Sequence, residues 1–353
     1  MKILMCTQEY YPKGSGIANV AYYLVEEMKR KGHDVRVLSP YGPDISVGYE
    51  KAIAKYAGIG LLFFWNKVRK FVNKNHNDFD LIYVHNPLFL GKIKPRKKIF
   101  SIVHTTYVKY YELYKSQDVG LRDRIYYLLM KYVERLCYRN KFKSSGVSSE
   151  VVKELKRLGV KGLYIPNGVD TAHFSPGGSF ELDVSGKILL AVGRLNQQKR
   201  PDLLIKVFSE LGDDKSLVFA GDGELMGECK KIVKDLGMNN VHFLGKVDHK
   251  ELRGLYSRAD FFIMSSCYEG QPLTLLEAMS CGLPCILSDI PNITHFVRDS
   301  KTGLVVDFES YSAAENILNY MDNVDRSKES LAVRKFAVDN LDWSKIAERY
   351  LGV

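Results

Sequence analysis

Short apolar runs alternate with longer amphipathic runs from one end of the chain to the other, and this alternation limits the fold more than any other feature. A βαβ alternation buries its strands in a parallel sheet with helices on both faces. It occurs in two series. In the first, residues 2–6, 35–38, 80–85, 98–104 and 143–148 read as strands, and residues 107–143 read mostly as helix. In the second, residues 188–192, 216–220, 241–245, 261–264 and 285–288 read as strands, with helices over 202–211 and 250–259. The turn cluster Ile165-Pro166-Asn167-Gly168-Val169-Asp170 separates them and suits a hinge. At 353 residues the chain is long enough for two such domains.

No stretch reaches the ~18 apolar residues of a membrane span, and the apolar run at the start is too short for a secretory signal. The six cysteines form no CxxC pair. Reduced thiols in a cytoplasmic protein are therefore expected. Charge is uneven. Residues 1–170 hold 30 Lys and Arg against 15 Asp and Glu, a net +15, and the remainder is −5. A basic first half points to an anionic surface or substrate. Residues 58–74 and 92–98 mix bulky apolar groups with cations. They read either as a contact with the inner face of a membrane or as a core helix with a solvated back.

The densest chemistry lies in 269–284, EGQPLTLLEAMSCGLP. The apolar run 261–264 precedes it, Pro272 fits the first turn of a helix, and Gly282 with Pro284 ends that helix. The first-turn N–H groups favour an anion. Glu269 stands in the loop, and Glu277 lies roughly 7.5 Å further along the helix axis. Carboxylates accept hydrogen bonds, so this layout suits a phosphate flanked by hydroxyls, as in a sugar nucleotide. Arg194 and Lys199 follow the first strand of the second series, where two cations suit a diphosphate. His104 ends a strand of the first series, where ligands of parallel sheets gather. The loop Gly14-Ser15-Gly16 precedes a helix but lacks the third small residue of the dinucleotide fingerprint. Ser39-Pro40 stands where NAD enzymes place an acid, so a nicotinamide reading ranks low.

Taken together, GSGIANVAYYLVEEMKRKGHDV, HTT at 104–106, IPNGVD at 165–170, GRLNQQKRPDLLI from 193 and EGQPLTLLEAMSCGLP from 269 resemble retaining sugar-nucleotide glycosyltransferases of family four, also called glycosyl transferases group 1. The resemblance covers nearly the whole chain. It implies the GT-B fold: two facing Rossmann-like α/β domains with parallel sheets, and a C-terminal helix around Trp343 that crosses back to the first. Residues 1–168 with 341–353 would form the acceptor-binding domain, and 169–340 the nucleotide-sugar domain. Glu269 would bond the hexose hydroxyls and Glu277 the ribose. Arg194 and Lys199 would grip the diphosphate with backbone N–H groups near Gly16, Leu273 and Thr274, and Gly270 would also touch the substrate. His104 would approach the reacting sugar, and the base would lie near Val247. Ser15-Gly16 replaces the two glycines of many relatives, Gln271-Pro272 replaces Phe-Gly, and Thr105 replaces Asp.

The implied function is retaining hexosyl transfer from a nucleotide-diphosphate sugar to an acceptor hydroxyl, on a lipid-linked, anionic or polysaccharide precursor. Domain closure would accompany the reaction. Neither cofactor nor metal is implied, and no nucleic-acid partner is expected. A nucleotide-sugar epimerase of the same architecture is the rival enzyme. A non-catalytic nucleotide- or carbohydrate-binding protein is the rival outside catalysis.

Overall fold

The computed structural model describes residues 1–48, 59–116 and 120–353. The chain forms two units. One comprises Met1–Asn167 with Trp343–Val353, and the other Gly168–Asp342.

The N-terminal unit contains strands β1 (Lys2–Cys6), β2 (Asp34–Ser39), β3 (Ile45–Ser46), β4 (Leu81–His85), β5 (Ile99–Val103), β6 (Lys143–Gly146) and β7 (Gly162–Tyr164). Its helices are α1 (Gly16–Arg30), α2 (Ile59–Asn75), α3 (Tyr107–Ser116), α4 (Leu121–Tyr138) and α5 (Ser149–Arg157). The strands form one sheet in the order β3-β2-β1-β4-β5-β6-β7, and every pairing is parallel. Strands β1, β4 and β5 are almost wholly buried, as a sheet covered on both faces requires.

The C-terminal unit contains β8 (Lys187–Val192), β9 (Lys215–Ala220), β10 (Val241–Gly245), β11 (Phe261–Met264), β12 (Cys285–Ser288) and β13 (Leu304–Val306). Its helices are α6 (Pro201–Phe208), α7 (Met226–Asp235), α8 (Leu252–Arg258), α9 (Leu273–Ser280), α10 (Pro291–Ser300), α11 (Ala313–Asn323) and α12 (Arg326–Asn340). The sheet order is β10-β9-β8-β11-β12-β13, again parallel throughout. Both sheets are doubly wound. Their order reverses between β1 and β4 in one unit and between β8 and β11 in the other. The loops that leave the carboxyl ends of those strands diverge and open a crevice for ligands.

The last helix, α13 (Trp343–Leu351), belongs to the N-terminal unit. Its apolar residues Trp343, Ile346, Ala347 and Tyr350 fall on one helical face and are all buried. Trp343 stacks on Tyr23 of α1 at 5.7 Å. The Tyr83 hydroxyl of β4 donates to the Tyr350 carbonyl at 2.6 Å.

Two sequence expectations are corrected, and one open reading is decided. The helical stretch 107–143 is two helices, α3 and α4, with Gly120 as the N-cap of the second; residues 117–119 lie outside the described residues. Pro272 is the N-cap of α9 rather than part of its first turn. Of the two readings of 58–74, the core helix holds for Phe64 and Trp65, while Phe63 is exposed. Phe64, Trp65, Val68 and Val72 are buried, because α2 covers one face of the sheet. Gly58 of that stretch lies outside the described residues.

Candidate active site

The loops after β8 and β11, the two strands at the switch point of the C-terminal unit, carry Arg194, Lys199 and Glu269. They are stitched together by backbone and side-chain bonds. Ser265 Oγ donates to the carbonyls of Lys199 and Arg200 at 2.9 and 3.1 Å. The Cys267 N–H donates to the Gln198 carbonyl at 2.9 Å, and Gln198 Nε2 returns a bond to the Tyr268 carbonyl at 2.8 Å. Glycine makes this approach possible. Gly221 has φ +152°, and a Cβ there would sit 1.9 Å from the Gly193 carbonyl oxygen. The turn 221–223 therefore presses directly under the Arg194 loop.

In this frame Lys199 Nζ lies 2.6 Å from Glu269 Oε1. Ser266 Oγ donates to the same carboxylate oxygen at 2.8 Å, and Asn292 Nδ2 donates to the Glu269 backbone carbonyl. Glu269 is only 5% exposed. A carboxylate buried to this extent needs the cation and the hydroxyl to offset its lost hydration. Arg194 is exposed, and it lines the same pocket as Lys199, Gly193, Ser265 and Ser266. Helix α9 begins three residues beyond Gly270. Its N-cap, Pro272, makes no side-chain cap, so Leu273 and Thr274 present the first N–H groups of the helix. Thr274 Oγ1 and Asn292 Oδ1 are buried without a partner among the described residues. Buried polar atoms are nearly always paired, so this loop keeps polar capacity for a ligand.

Glu277 lies one turn into α9 and is also buried. Tyr256 donates to its Oε2 at 3.0 Å, and His249 Nε2 lies 3.1 Å from Oε1. His249 packs edge-on to Phe174 at 5.2 Å. The hydrogen bond to Glu277 holds the His249 imidazole above its usual pKa, and burial opposes it. A histidine whose folded pKa is raised stabilises the fold fully below its unfolded value of 6.5, and that contribution disappears as pH rises through the folded pKa. The melting difference between wild type and His249→Gln is therefore expected to shrink as pH rises from 6.5. Thermal melts across that range check it, and a gap that widens would contradict the pairing. Val247, assigned to the base, is half-buried against the core on the loop after β10.

In the N-terminal unit His104 immediately follows β5 and is 7% exposed. Its backbone N–H donates to Asn86 Oδ1 at 2.8 Å. Its ring stacks on His85, with His104 Nε2 3.0 Å from His85 Nδ1, and His85 Nε2 lies 3.1 Å from the Met5 sulfur. Burial pushes His104 down to about 4, and burial with the neighbouring His104 holds His85 well below the usual histidine range, so both rings are neutral near pH 7. A thioether sulfur only accepts. His85 therefore carries its hydrogen on Nε2 and accepts at Nδ1. His104 donates from Nε2 and keeps the lone pair of Nδ1. A neutral ring in this tautomer can accept a hydrogen bond from a hydroxyl at Nδ1 and cannot act as a cation. Gly16 opens α1, where Ser15 is the N-cap. Glu9 Oε2 accepts from the Ser15 N–H and hydroxyl at 2.7 and 2.6 Å and so fixes the loop.

Lys199, Glu269, Glu277 and Arg194 all lie in the C-terminal unit. Their supports, Ser266, Asn292, His249 and Tyr256, were not found from sequence. Neither were His85 and Met5 behind His104. His249 stands within the turn after β10 and could have been marked as a titratable group at a strand's carboxyl end. The others carry no local signal.

Two doubly wound units with a buried cation–carboxylate pair and a helix start at one switch point define a GT-B protein. A TM-score of 0.74 to Anabaena HepE, solved in complex with UDP, agrees: that structure is 15% identical and covers 100% of this chain and 99% of its own. Residues 14–173 match the Glycosyltransferase Family 4 model, and residues 179–332 match the Glycosyl transferases group 1 model. The chain belongs to this family of glycosyltransferases. It is 24% identical to the alpha-monoglucosyldiacylglycerol synthase of Streptococcus pneumoniae over 99% of this chain and 86% of that protein. It is 25% identical to the phosphatidyl-myo-inositol mannosyltransferase of Mycobacterium tuberculosis over 100% of this chain and 96% of that protein.

Proposed function

We propose that this glycosyltransferase moves a hexosyl unit from a nucleoside diphosphate sugar to a hydroxyl of a lipid-borne acceptor, with retention at the anomeric carbon. The observation that carries the reading is the Lys199–Glu269 pair beside the uncapped start of α9. Cleavage of the sugar–diphosphate bond puts charge on the leaving phosphate and oxocarbenium character on the sugar. Lys199 and the N–H groups of Leu273 and Thr274 are fixed before the reaction and, with Arg194, would stabilise that phosphate, and such preorganised electrostatics commonly contribute most of an enzyme's rate enhancement. Glu269 accepts from the hexose hydroxyls and Glu277 from the ribose, with the base near Val247. His104 accepts from a sugar hydroxyl at Nδ1, and the amides near Gly16 add to the phosphate contacts. In this reading the acceptor attacks on the face the leaving phosphate departs from, and that phosphate takes its proton. No metal ion enters the scheme.

The names of two relatives, a glucosyldiacylglycerol synthase and a phosphatidylinositol mannosyltransferase, support a lipid acceptor. The basic first half of the chain supports an anionic one. The acceptor-binding role falls to the N-terminal unit and the donor-binding role to the C-terminal unit. No described helix is long and apolar enough to cross a membrane, and we place the enzyme peripherally on an anionic bilayer. A thermal-shift and calorimetric screen of UDP-, GDP- and ADP-sugars tests the donor. One class is expected to bind and to release its nucleotide only when a lipid acceptor is present. Acceptor-free conversion of the sugar would favour an epimerase, and binding without turnover a non-catalytic protein; either overturns the reading.

A further inference from the structure

Helix α4 has two apolar faces, and the fold uses one. Met130, Val133, Cys137 and Tyr138 point inward and are buried. On the opposite side Leu121, Ile125, Leu128, Leu129 and Tyr132 are 75%, 58%, 51%, 51% and 59% exposed. Their spacing of i, i+4, i+7, i+8 and i+11 places all five on one stripe about 100° wide. Scattered exposed leucines are ordinary, but a continuous apolar stripe on a solvent-facing side marks a binding surface.

The charges around the stripe indicate what it binds. At 100° per residue, Arg124, Lys131 and Arg135 run along one edge, Arg122 lies on the other, and Arg139 stands at the far end. Lys131 rests over the Tyr111 ring at 4.3 Å. The helix has two acids. Asp123 is exposed on the side away from the stripe, and Glu134 is buried toward the core. A second copy docked on this face would bring arginine edges against each other, with no acid of the helix itself beside the stripe to pair them. An anionic bilayer complements both features. Apolar side chains enter the boundary between headgroups and acyl chains, arginines meet lipid phosphates, and Tyr132 suits the interfacial layer. Because the inner face stays packed on the sheet, docking requires no unfolding.

We infer that the Leu121–Ile125–Leu128–Leu129–Tyr132 face of α4 is the surface by which this protein docks on an anionic lipid bilayer. The inference deepens the lipid-acceptor reading and rests on it only for its purpose, since docking is measured without turnover. The test is flotation of the full chain with phosphatidylcholine vesicles, with and without phosphatidylglycerol. Wild type is expected to float with the anionic vesicles and to be released by salt. Ile125→Ser/Leu128→Ser/Leu129→Ser is expected to bind them at least about tenfold more weakly. Arg124→Gln/Arg135→Gln is expected to lose several-fold on anionic vesicles alone. Melting temperature and nucleotide-sugar binding should match wild type in both variants, which separates a lost surface from a lost fold. Flotation of the triple serine variant equal to wild type would overturn the inference. So would analytical ultracentrifugation showing a wild-type dimer that this variant turns into monomers. Failure of every nucleotide sugar to bind, with vesicle capture intact, would remove the transferase mechanism and leave the surface standing.

Discussion

Lys199→Ala is expected to lower sugar transfer by ~10²–10³ while both units remain folded, because it deletes the cation nearest the departing diphosphate in the proposed mechanism. The same substitution leaves Glu269, 5% exposed, with the Ser266 hydroxyl as its one remaining side-chain partner among the described residues. An uncompensated buried carboxylate costs roughly 3–5 kcal/mol, so the melting temperature of the C-terminal unit should also fall. Adding Glu269→Gln to Lys199→Ala removes the stranded charge. The double variant is expected to recover much of the lost melting temperature and none of the lost turnover. Glu269→Ala alone should lower turnover by a comparable factor. Steady-state kinetics beside thermal melts separate the two effects, and wild-type turnover in both single variants would eliminate the site.

The second large effect concerns stability. Glu134 sits on α4 facing the sheet, 3% exposed, and its Oε2 accepts from the Val108 N–H at 3.2 Å. Glu154 accepts from the Thr106 hydroxyl at 2.6 Å. These two buried carboxyls hold the start of α3, directly after His104. Burial pushes Glu134 up to about 8; the N–H groups of Tyr107 and Val108 oppose the rise and the nearby Glu154 adds to it. Below pH 4.5 both folded and unfolded chains hold this proton. Between 4.5 and about 8 only the folded chain does, so stability declines as pH climbs through that window and levels off above it. The accumulated loss is on the order of a few kcal/mol. Glu134→Gln keeps an acceptor for Val108 and abolishes the proton uptake. Its urea midpoint is expected to exceed that of wild type near pH 8 and to converge with it near pH 4.5. Parallel curves would show that Glu134 is ionised in the fold.

Much of this architecture was legible in the residues because parallel strands buried on both faces are continuous apolar runs. Phe261–Met264, Val241–Gly245 and Cys285–Ser288 stand where the runs begin and end. The ends of helices were less legible. The break at Gly120 and the position of Pro272 depend on how caps pack, and no run length records that. At the site, the chain gave the types of residue but not their pairing. Lys199 and Glu269 were read as serving different parts of a ligand, and in the fold they hold each other at 2.6 Å across 70 positions of sequence. Ser266, Asn292, Tyr256 and His85 are ordinary polar residues until the sheet order brings them beside a carboxylate or a ring. Residues 58–74 and helix α4 show the same limit from the opposite side. Both are apolar and basic, and only the sheet decides which of them turns its aromatic groups inward.

Tyr350 and Trp343 also bear on the order in which a ribosome can complete these two units. The stretch 168–342 emerges without interruption and carries every strand of its own sheet. The stretch that emerges before it lacks the eleven residues of Trp343–Val353, whose indole covers Tyr23 and whose tyrosine ring packs against Tyr83 and Phe100. The half translated first is therefore the half completed last, and until then it keeps an apolar seam open to chaperones.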